Sequence, residues 1–365
     1  MAILSTSYFL LITEPEVLLL DDLKFIHQRD GQDALGIAER QYKQLEQQFV
    51  VDSLQSLVDS QIENVVYAAM GGSALAALVS QSWPGYNLPF EVCRQYHIPA
   101  YVSKKTLFIA SSYSGNTEEA LATLAEAEKK NAKIIVIASG GRLQEIAEAK
   151  NYPFLLIPKV EQPRYSVLYM LKALVLILET AGLIKEEQAT ASIHQAANFL
   201  KNKVAGWTAT VPTKDNPAKK LAEELAGKSV VIYAGPLLAP AAYKWKINFN
   251  ENAKNVAWWG QYPEFNHNEM IGWSSHPIQK PYAVVDLRSS LEHPRIQKRF
   301  EVAEKLLSGR RPAPNVVQVQ GETVLEQLLW AIAFGDFVSV YLALLNNVNP
   351  APVDLVEKFK VELGL

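Results

Sequence analysis

The fold is decided by residues 65–74, VVYAAMGGSA, together with residues 106–117, TLFIASSYSGNT. In each stretch an apolar run of strand character ends in glycine or hydroxyl residues, and a helix-like segment follows. A strand that turns directly into a helix presents free backbone N–H groups at the positive end of that helix. Two such turns on neighbouring strands predict a place that holds an anion, most often a phosphate.

The same residues also have a purely structural explanation. Ser, Thr and Asn are ordinary N-caps of helices, and Gly-Gly is an ordinary strand-to-helix turn. For either stretch taken alone, this explanation serves as well as anion binding. However, residues 111–117 carry six hydroxyl or amide side chains, which is more than one helix cap needs.

Composition indicates a soluble globular enzyme with two domains. The chain has 365 residues, of which 49% are apolar and 20% are charged. Its formal net charge is −3, and no basic run is long enough to suggest a nucleic-acid partner. The single cysteine, Cys93, excludes a disulfide framework and a cysteine metal site, and it fits a reducing cytoplasm.

No signal peptide or membrane-spanning segment is predicted. Residues 1–20 are partly apolar, but they lack a basic region and contain Glu14 and Glu16, so we expect folded chain there. The longest apolar run, residues 167–178, contains Lys172 and is too short to span a bilayer.

Strand-like and helix-like segments alternate along most of the chain, after a helical stretch at residues 23–60. In the first unit we expect strands at 64–69, 90–94, 106–110, 133–138 and 152–156, and helices at 73–82, 117–131, 142–150 and 166–182. A helical stretch at 185–204 and a polar segment at 205–217 read as a connection. In the second unit we expect strands at 229–234, 282–286 and 316–320, and helices at 240–252, 294–307, 323–345 and 353–363. Such alternation predicts an α/β fold whose parallel sheets carry helices on both faces and bind ligands at the carboxyl ends of their strands.

This organisation divides the chain into three parts. Residues 1–59 form a helical N-terminal segment, and residues 60–204 form the first domain with its connecting helix. Residues 205–365 form a second domain of the same element order, which ends in a C-terminal helix. The two units share little sequence, so their likeness rests on the order of their elements.

Polar residues concentrate in the second unit, at residues 248–254, NFNENAK, and 263–269, PEFNHNE. His267 lies between asparagines and carboxylates, where an imidazole can move protons near neutral pH, and a carboxylate such as Glu251 can act as a base. In the structural alternative, Glu251 is a solvated helix residue and the asparagines only cap turns. A zinc site is disfavoured because one histidine with scattered carboxylates makes a poor set of ligands.

Two groups of motifs resemble known families. Residues 70–74, MGGSA, and 112–119, SYSGNTEE, resemble the signature of sugar isomerase (SIS) domains, which bind phosphosugars. Residues 250–254, NENAK, and 263–269, PEFNHNE, are similar to the bifunctional phosphoglucose/phosphomannose isomerases of bacteria and archaea. Agreement continues at residues 163–166, PRYS, and near the C-terminus, so the resemblance runs from about residue 60 to the end of the chain.

The resemblance implies a fold, an activity and a set of binding residues. It implies two SIS-type, doubly wound, flavodoxin-like sheets. It further implies an enzyme that interconverts glucose 6-phosphate, and mannose 6-phosphate, with fructose 6-phosphate, using no cofactor and no metal. The residues implied to line the sugar site are Gly71, Gly72 and Ser73. The residues implied to hold the phosphate are Ser112, Ser114 and Thr117.

The resemblance also implies the catalytic residues. Glu251 is the base that moves a proton between C1 and C2, and Arg164 stabilises the enediolate. His267 assists ring opening and is expected to come from the partner subunit of a homodimer. Lys360 helps with ring opening or anion binding, and Lys358 is the alternative if the alignment shifts by two residues.

Two departures and two competing functions accompany this resemblance. Ala69 precedes Met70 where the family often has glycine, and Ala351 replaces a common threonine, which bears on the balance between glucose and mannose substrates. A non-catalytic SIS protein that senses a phosphosugar needs only the serine loop. The presence of Glu251 with its histidine and arginine favours the enzyme. An aminotransferase of the glucosamine-phosphate type is disfavoured because no N-terminal cysteine nucleophile is present.

Overall fold

Two parallel β-sheets with helices on both faces organise the molecule. The computed structural model describes residues 19–49, 54, 61–184, 186, 188–275 and 281–364. The expectation of folded chain at residues 1–20 therefore falls almost wholly outside the described residues, and so does part of the predicted helical stretch 23–60. Between residues 23 and 46 that stretch forms three short helices: α1 Leu23–Arg29, α2 Ala34–Arg40 and α3 Tyr42–Glu46.

Asp30 explains why one long helix does not form there. Its carboxylate accepts the backbone N–H groups of Ala34, at 2.7 Å, and Leu35, at 2.9 Å. These bonds satisfy the free N–H groups at the start of α2, so the chain turns instead of continuing α1.

The first sheet has five parallel strands in the order β2-β1-β3-β4-β5. They are β1 Asn64–Ala68, β2 Phe90–Cys93, β3 Thr106–Ser112, β4 Lys133–Ala138 and β5 Phe154–Leu156. The helices around it are α4 Gly71–Ser82, α5 Glu118–Lys129, α6 Gly141–Lys150 and α7 Val167–Thr180. Every residue of β3 is buried, because helices cover both faces, and its apolar run is therefore unbroken. This strand order is the flavodoxin-like one that the resemblance to SIS domains implies.

The second sheet has four parallel strands in the order β7-β6-β8-β9. They are β6 Ser229–Ala234, β7 Ala257–Gln261, β8 Tyr282–Arg288 and β9 Pro314–Gln318. The remaining helices are α8 Ala189–Val204, α9 Pro217–Leu225, α10 Ala239–Glu251, α11 Glu269–Gly272, α12 Pro294–Leu307, α13 Val324–Leu345 and α14 Asp354–Glu362. The prediction of two doubly wound parallel sheets is confirmed.

Three elements of this second unit are absent from the sequence prediction: helix α9, strand β7 and the four-residue helix α11. Helix α9 begins in the segment expected to be a connection. Its signal was present, because Asn216 accepts the N–H groups of Ala218 and Lys219 and Pro217 occupies the first helical position. Strand β7 lies at the edge of the sheet, and only Ala257 of its five residues is buried, so it lacks an apolar pattern.

Helix α13 forms the centre of the core. It has 22 residues and is long and apolar enough to cross a membrane by length and composition, but 94% of its most apolar window is buried inside the protein. It is thus a more extensive apolar segment than residues 167–178. Helix α10 packs closely on it: a Cβ atom at Gly335 would overlap the indole of Trp245, whose Nε1 donates to the Ala331 carbonyl at 2.8 Å. This packing fixes the end of α10, where Glu251 lies.

Candidate active site

The glycine turn between β1 and α4 lies directly against the segment that carries Arg164. A Cβ atom at Gly72 would lie 3.0 Å from the backbone nitrogen of Arg164 and 3.1 Å from the carbonyl carbon of Pro163. Gly71 has a φ of +47°, which side chains rarely allow. Glycine is therefore needed at both positions, for close approach at Gly72 and for backbone conformation at Gly71.

The hydroxyl loop, residues 112–117 at the end of β3, contains the three predicted phosphate residues. The Ser112 hydroxyl lies 2.7 Å from that of Thr117 and 3.4 Å from that of Ser114. Thr117 is the N-cap of α5, yet its side chain makes no capping bond to the helix. The free N–H groups at this helix start and the clustered hydroxyls together can bind an oxyanion.

The two turns are joined to each other. The Ser73 hydroxyl accepts the backbone N–H of Tyr113 at 2.9 Å. On the far side, Gly115 lies so close to the Gly140 carbonyl that a Cβ atom would overlap it. The glycine turn and the hydroxyl loop consequently form one rigid rim at the carboxyl ends of β1 and β3.

Arg164 is buried, with 1% of its surface exposed, and its guanidinium joins three parts of the chain. Its Nη1 donates to Glu251 Oε2 at 2.9 Å and to Gln162 Oε1 at 3.3 Å, and its Nε donates to Asn252 Oδ1 at 2.6 Å. Its Nη2 donates to the carbonyl oxygens of Pro350, at 3.0 Å, and Ala351, at 2.8 Å. All five N–H donors have partners, as a buried guanidinium requires.

Glu251 is the last residue of α10, and its side chain is 34% exposed, so a substrate can reach its carboxylate. Oε2 is held by Arg164, whereas Oε1 makes no hydrogen bond within the described residues. The neighbouring Asn252 is buried and is fixed by Ser339 of α13 at 2.9 Å and by the Tyr165 hydroxyl at 3.2 Å. The Glu251 carboxylate is thus held at Oε2 and has no partner at Oε1 within the described residues.

Lys254 belongs to this site, although the sequence analysis assigned it no role. Its Nζ donates to the carbonyl oxygens of Glu251, at 2.9 Å, and Asn349, at 2.6 Å. Desolvation among these groups and the positive charge of Arg164 lower the pKa of Lys254 to about 8. It ties the end of α10 to the loop that also binds Arg164. A lysine within the motif NENAK, close to a candidate base, was the available signal.

A cavity of about 710 Å³ opens beside this group. Glu251 and Lys254 line one wall, and Pro352, Leu355 and Val356 line the other. Such a volume is within the usual range of small-molecule sites.

His267 does not lie near Glu251 within one chain. It ends the short 3₁₀ turn Glu264–His267 that follows β7, and its side chain is exposed, whereas Glu251 precedes the same strand. Five strand residues, roughly 17 Å of chain, separate the two ends of β7, so we place the two side chains near opposite ends of this strand. The placement of His267 in a partner's site stays a prediction. Asn268 accepts the N–H of Glu269, which is the capping role named as the alternative.

Lys360 makes no contact with Glu251 among the described residues. It is exposed on α14, where its Nζ contacts Glu357 at 2.8 Å, and Lys358 on the same helix is exposed as well. Neither lysine contacts Arg164 or Glu251 among the described residues. In those residues, moreover, no three His, Cys, Asp or Glu side chains lie close enough together to hold a metal ion.

Comparisons with known proteins narrow the family. Residues 214–363 match the family model described as the bacterial phospho-glucose isomerase C-terminal SIS domain. The chain is 31% identical over 304 residues to the bifunctional phosphoglucose/phosphomannose isomerase of Aquifex aeolicus, covering 82% of this chain and 90% of that protein. It is 37% identical over 216 residues to the D-glucosamine-6-phosphate 4-epimerase of Sulfolobus acidocaldarius, covering 58% of this chain and 65% of that protein.

A solved structure supports the fold. The C-terminal domain of glucosamine-fructose-6-phosphate aminotransferase from Francisella tularensis superposes with a TM-score of 0.65 at 14% identity, covering 90% of this chain and 97% of that one. At such low identity the similarity concerns the fold alone, which is that of paired SIS sheets.

Proposed function

The chain belongs to the bifunctional phosphoglucose/phosphomannose isomerase family, and from this premise we propose that it interconverts glucose 6-phosphate, and mannose 6-phosphate, with fructose 6-phosphate. The single observation that carries the proposal is the 2.9 Å contact between Arg164 and Glu251, beside the glycine turn of the first sheet. This contact supports the proposal because it joins a carboxylate, which can act as a base, to a cation that can stabilise a developing negative charge.

Glu251 is the proposed base. Its carboxylate takes the proton from C2 of the open-chain aldose and returns it to C1, while the aldehyde oxygen gains a proton and the C2 hydroxyl loses one. A single base acting on one face of the enediolate is sufficient for this transfer. The exposed Oε1 of Glu251 has the freedom to approach the sugar, and Oε2 remains bound to Arg164.

Arg164 is proposed to supply the positive charge that the enediolate needs. Charge develops on the two sugar oxygens mainly in the transition state, so a fixed guanidinium lowers the barrier without first reorganising. Its Nη1 has the longest of its contacts, 3.3 Å to Gln162, and that contact can be exchanged for a substrate oxygen. Its other donors hold the loop at Ala351 in place.

The phosphate is proposed to bind the hydroxyls of Ser112, Ser114 and Thr117 at the start of α5. This group takes no part in the proton transfer. Its binding energy instead fixes the position of the distant carbons against Glu251. The Ser112 hydroxyl lies within 3.4 Å of both other hydroxyls, and this clustering supports the assignment.

The site is proposed to be completed by a second copy of the chain. Ring opening needs a proton shuttle, and His267 is too far along the sheet to serve the Glu251 of its own chain. His267 of the partner subunit would enter from the exposed turn after β7. Lys254 stands nearer to Glu251 than Lys360 does, and we assign it the role of holding the Glu251 backbone in position.

A coupled assay tests the proposal. Turnover of fructose 6-phosphate to glucose 6-phosphate and to mannose 6-phosphate is measured for the wild type, for Glu251→Gln and for the surface control Glu145→Gln. We expect both conversions in the wild type and the control, and none in Glu251→Gln. Full turnover in Glu251→Gln would contradict the proposal.

A second candidate is epimerisation at C4 of glucosamine 6-phosphate, favoured by the 37% identity to the epimerase over 58% of the chain. Incubation with glucosamine 6-phosphate in the same assay series separates the two activities. A protein that binds phosphosugars but converts none of these substrates would be the sensor that the sequence left as an alternative.

A further inference from the structure

The second sheet has its own cleft at the position that the hydroxyl loop occupies in the first sheet. The strand order reverses between β1 and β3 in the first sheet and between β6 and β8 in the second. Ligands of such sheets bind outside the carboxyl ends of the strands at this reversal. In the second sheet a cavity of about 300 Å³ opens there, between Gly235 on one side and Arg288, Ser289 and Ser290 on the other.

The carboxylate of Glu292 fills one side of this cleft. Only 7% of the residue is exposed. Its Oε2 accepts the backbone N–H of Leu237 at 3.1 Å, and its Oε1 accepts that of His293 at 3.4 Å. It lies so close to Gly235 that a Cβ atom there would overlap it. Among the described residues no lysine or arginine pairs with it, and burial raises the pKa of Glu292.

One of the two donors that Glu292 uses, the Leu237 N–H, lies at the position that corresponds to the glycine turn of the first sheet. Leu237 lies in the turn between β6 and α10, just as the glycine turn lies between β1 and α4. In the first sheet the strand-to-helix loop that faces this turn offers hydroxyls, and Ser112 and Thr117 bond to each other. In the second sheet the loop that follows β8 offers a carboxylate. A carboxylate and a phosphate are both oxyanions that accept N–H bonds, so one excludes the other by occupancy and by charge.

The surroundings of Glu292 would suit a phosphate once the carboxylate is removed. Arg288 lines the cavity, and its Nε is buried without a partner in the part of the chain that the structure describes. Its Nη2 is already shared between Asp286, at 2.9 Å, and Glu304, at 2.8 Å. Ser289 and Ser290 add hydroxyls on the same wall. The cleft therefore has a cation, hydroxyls and a backbone donor around the space that the Glu292 carboxylate occupies, and the carboxylate of Glu301 also lines it.

We propose that this cleft is a latent phosphate site that Glu292 keeps closed, so that each chain holds its phosphosugar only at the first sheet. The second half of this statement rests on the proposed function of the first sheet. Glu292 thus determines which of two related clefts in one chain accepts the phosphosugar, by placing its own anion where a phosphate would bind.

Calorimetric titration of the full-length protein with glucitol 6-phosphate tests this. The compound has no carbonyl group, so it binds without being isomerised. We expect one molecule per chain for the wild type and for Glu292→Gln, whose amide keeps the size and the acceptor of the carboxylate. We expect two per chain for Glu292→Ala. Glu292→Ser, which retains a hydroxyl for the Leu237 N–H, is a second opened variant in case the alanine variant does not fold.

Addition of Ser114→Ala assigns the two classes of site. In the Glu292→Ala background it should weaken one class by at least tenfold and leave the other unchanged. If the wild type binds one molecule per chain, one molecule per chain in a folded Glu292→Ala or Glu292→Ser variant overturns the proposal. Two molecules per chain in the wild type overturn it as well. No binding by the wild type together with one molecule per chain in Glu292→Ala would refute the first-sheet assignment and support the role of Glu292.

Discussion

Replacement of Arg164 by lysine is expected to reduce turnover strongly. A lysine keeps a positive charge but has one nitrogen in place of the planar fork that binds Asn252, Glu251 and the Ala351 carbonyl together. Removal of one preorganised donor to a developing oxyanion typically costs about 10²–10³-fold in kcat. Because Arg164 also holds the proposed base, Glu251, we expect kcat to fall by that factor while KM changes less.

The same replacement is expected to lower the free energy of unfolding. Arg164 is buried, and the lysine would leave at least one of the carbonyls of Pro350 and Ala351 without a donor. A buried group left unsatisfied costs about 1–3 kcal/mol. The ion pair itself adds at most ~1 kcal/mol, because Glu251 is one-third exposed. We expect a loss of roughly 1–4 kcal/mol in total.

Urea unfolding and steady-state kinetics of Arg164→Lys measure these two effects, with Arg40→Lys as the matched control. Arg40 pairs with Asp33 at 2.7 Å, but both side chains are more than half exposed. Its replacement should change stability by less than about 1 kcal/mol and leave kcat unaltered. Wild-type kcat and stability in Arg164→Lys would refute the roles that we propose for Arg164 in turnover and in stability.

Three further predictions concern the hydroxyl loop, Lys254 and His267. Ser114→Ala and Thr117→Ala should each raise the KM for the phosphosugar with little change in kcat, since a hydrogen bond to a charged group is worth about 1.5–3 kcal/mol. Unchanged KM values in both variants would exclude the hydroxyl loop as the phosphate site. The pKa of Lys254 in the folded protein, about 8, lies below its ordinary value of 10.5. The wild type should therefore gain stability relative to Lys254→Met as pH rises from 8 towards 10.5. If the two proteins differ in free energy of unfolding by the same amount at pH 7.5 and at pH 9.5, this expectation is wrong. Mixing inactive Glu251→Gln with inactive His267→Ala should restore about a quarter of wild-type activity. Half of the dimers are then mixed, and each mixed dimer has one site that contains both native groups. If the subunits are shown to exchange and no activity returns, the two residues belong to a site within one chain.

The sheets could be read from the sequence because their signals are local. Residues 106–110 and 133–138 are apolar runs bounded by turn residues, which is the pattern of a parallel strand buried on both faces. The strand order within each sheet is not written in any single segment. It followed from the resemblance to SIS domains, and the structure confirms it.

The elements that were missed have weak local signals. Strand β7 lies at a sheet edge and exposes Trp258 and Trp259, so it has neither an apolar run nor a clear alternation. It is held by backbone bonds to β6, which depend on residues far away in sequence. Helix α9 carries clear capping residues, but the prolines around it suggested a boundary instead of a helix start.

The candidate site likewise contains residues that the sequence identified and a residue that it did not. Glu251 and Arg164 are 87 positions apart, and only folding shows that their side chains meet. The sequence offered both through motifs, whereas Lys254 acquires its role from carbonyls at 349 and 350 that no local pattern links to it. Likewise, the distance between Glu251 and His267 in one chain depends on the course of β7, which the sequence did not predict.

The most direct test of the central claim, proton transfer by Glu251, is deuterium exchange during turnover. Fructose 6-phosphate is incubated with the enzyme in D₂O, and NMR follows deuterium at C1 of the ketose and C2 of the aldose. An enediolate whose proton is carried by an exposed carboxylate exchanges with solvent, so we predict deuterium at both positions with the wild type and with Glu145→Gln, and none with Glu251→Gln. Wild-type incorporation of deuterium by Glu251→Gln would contradict the account.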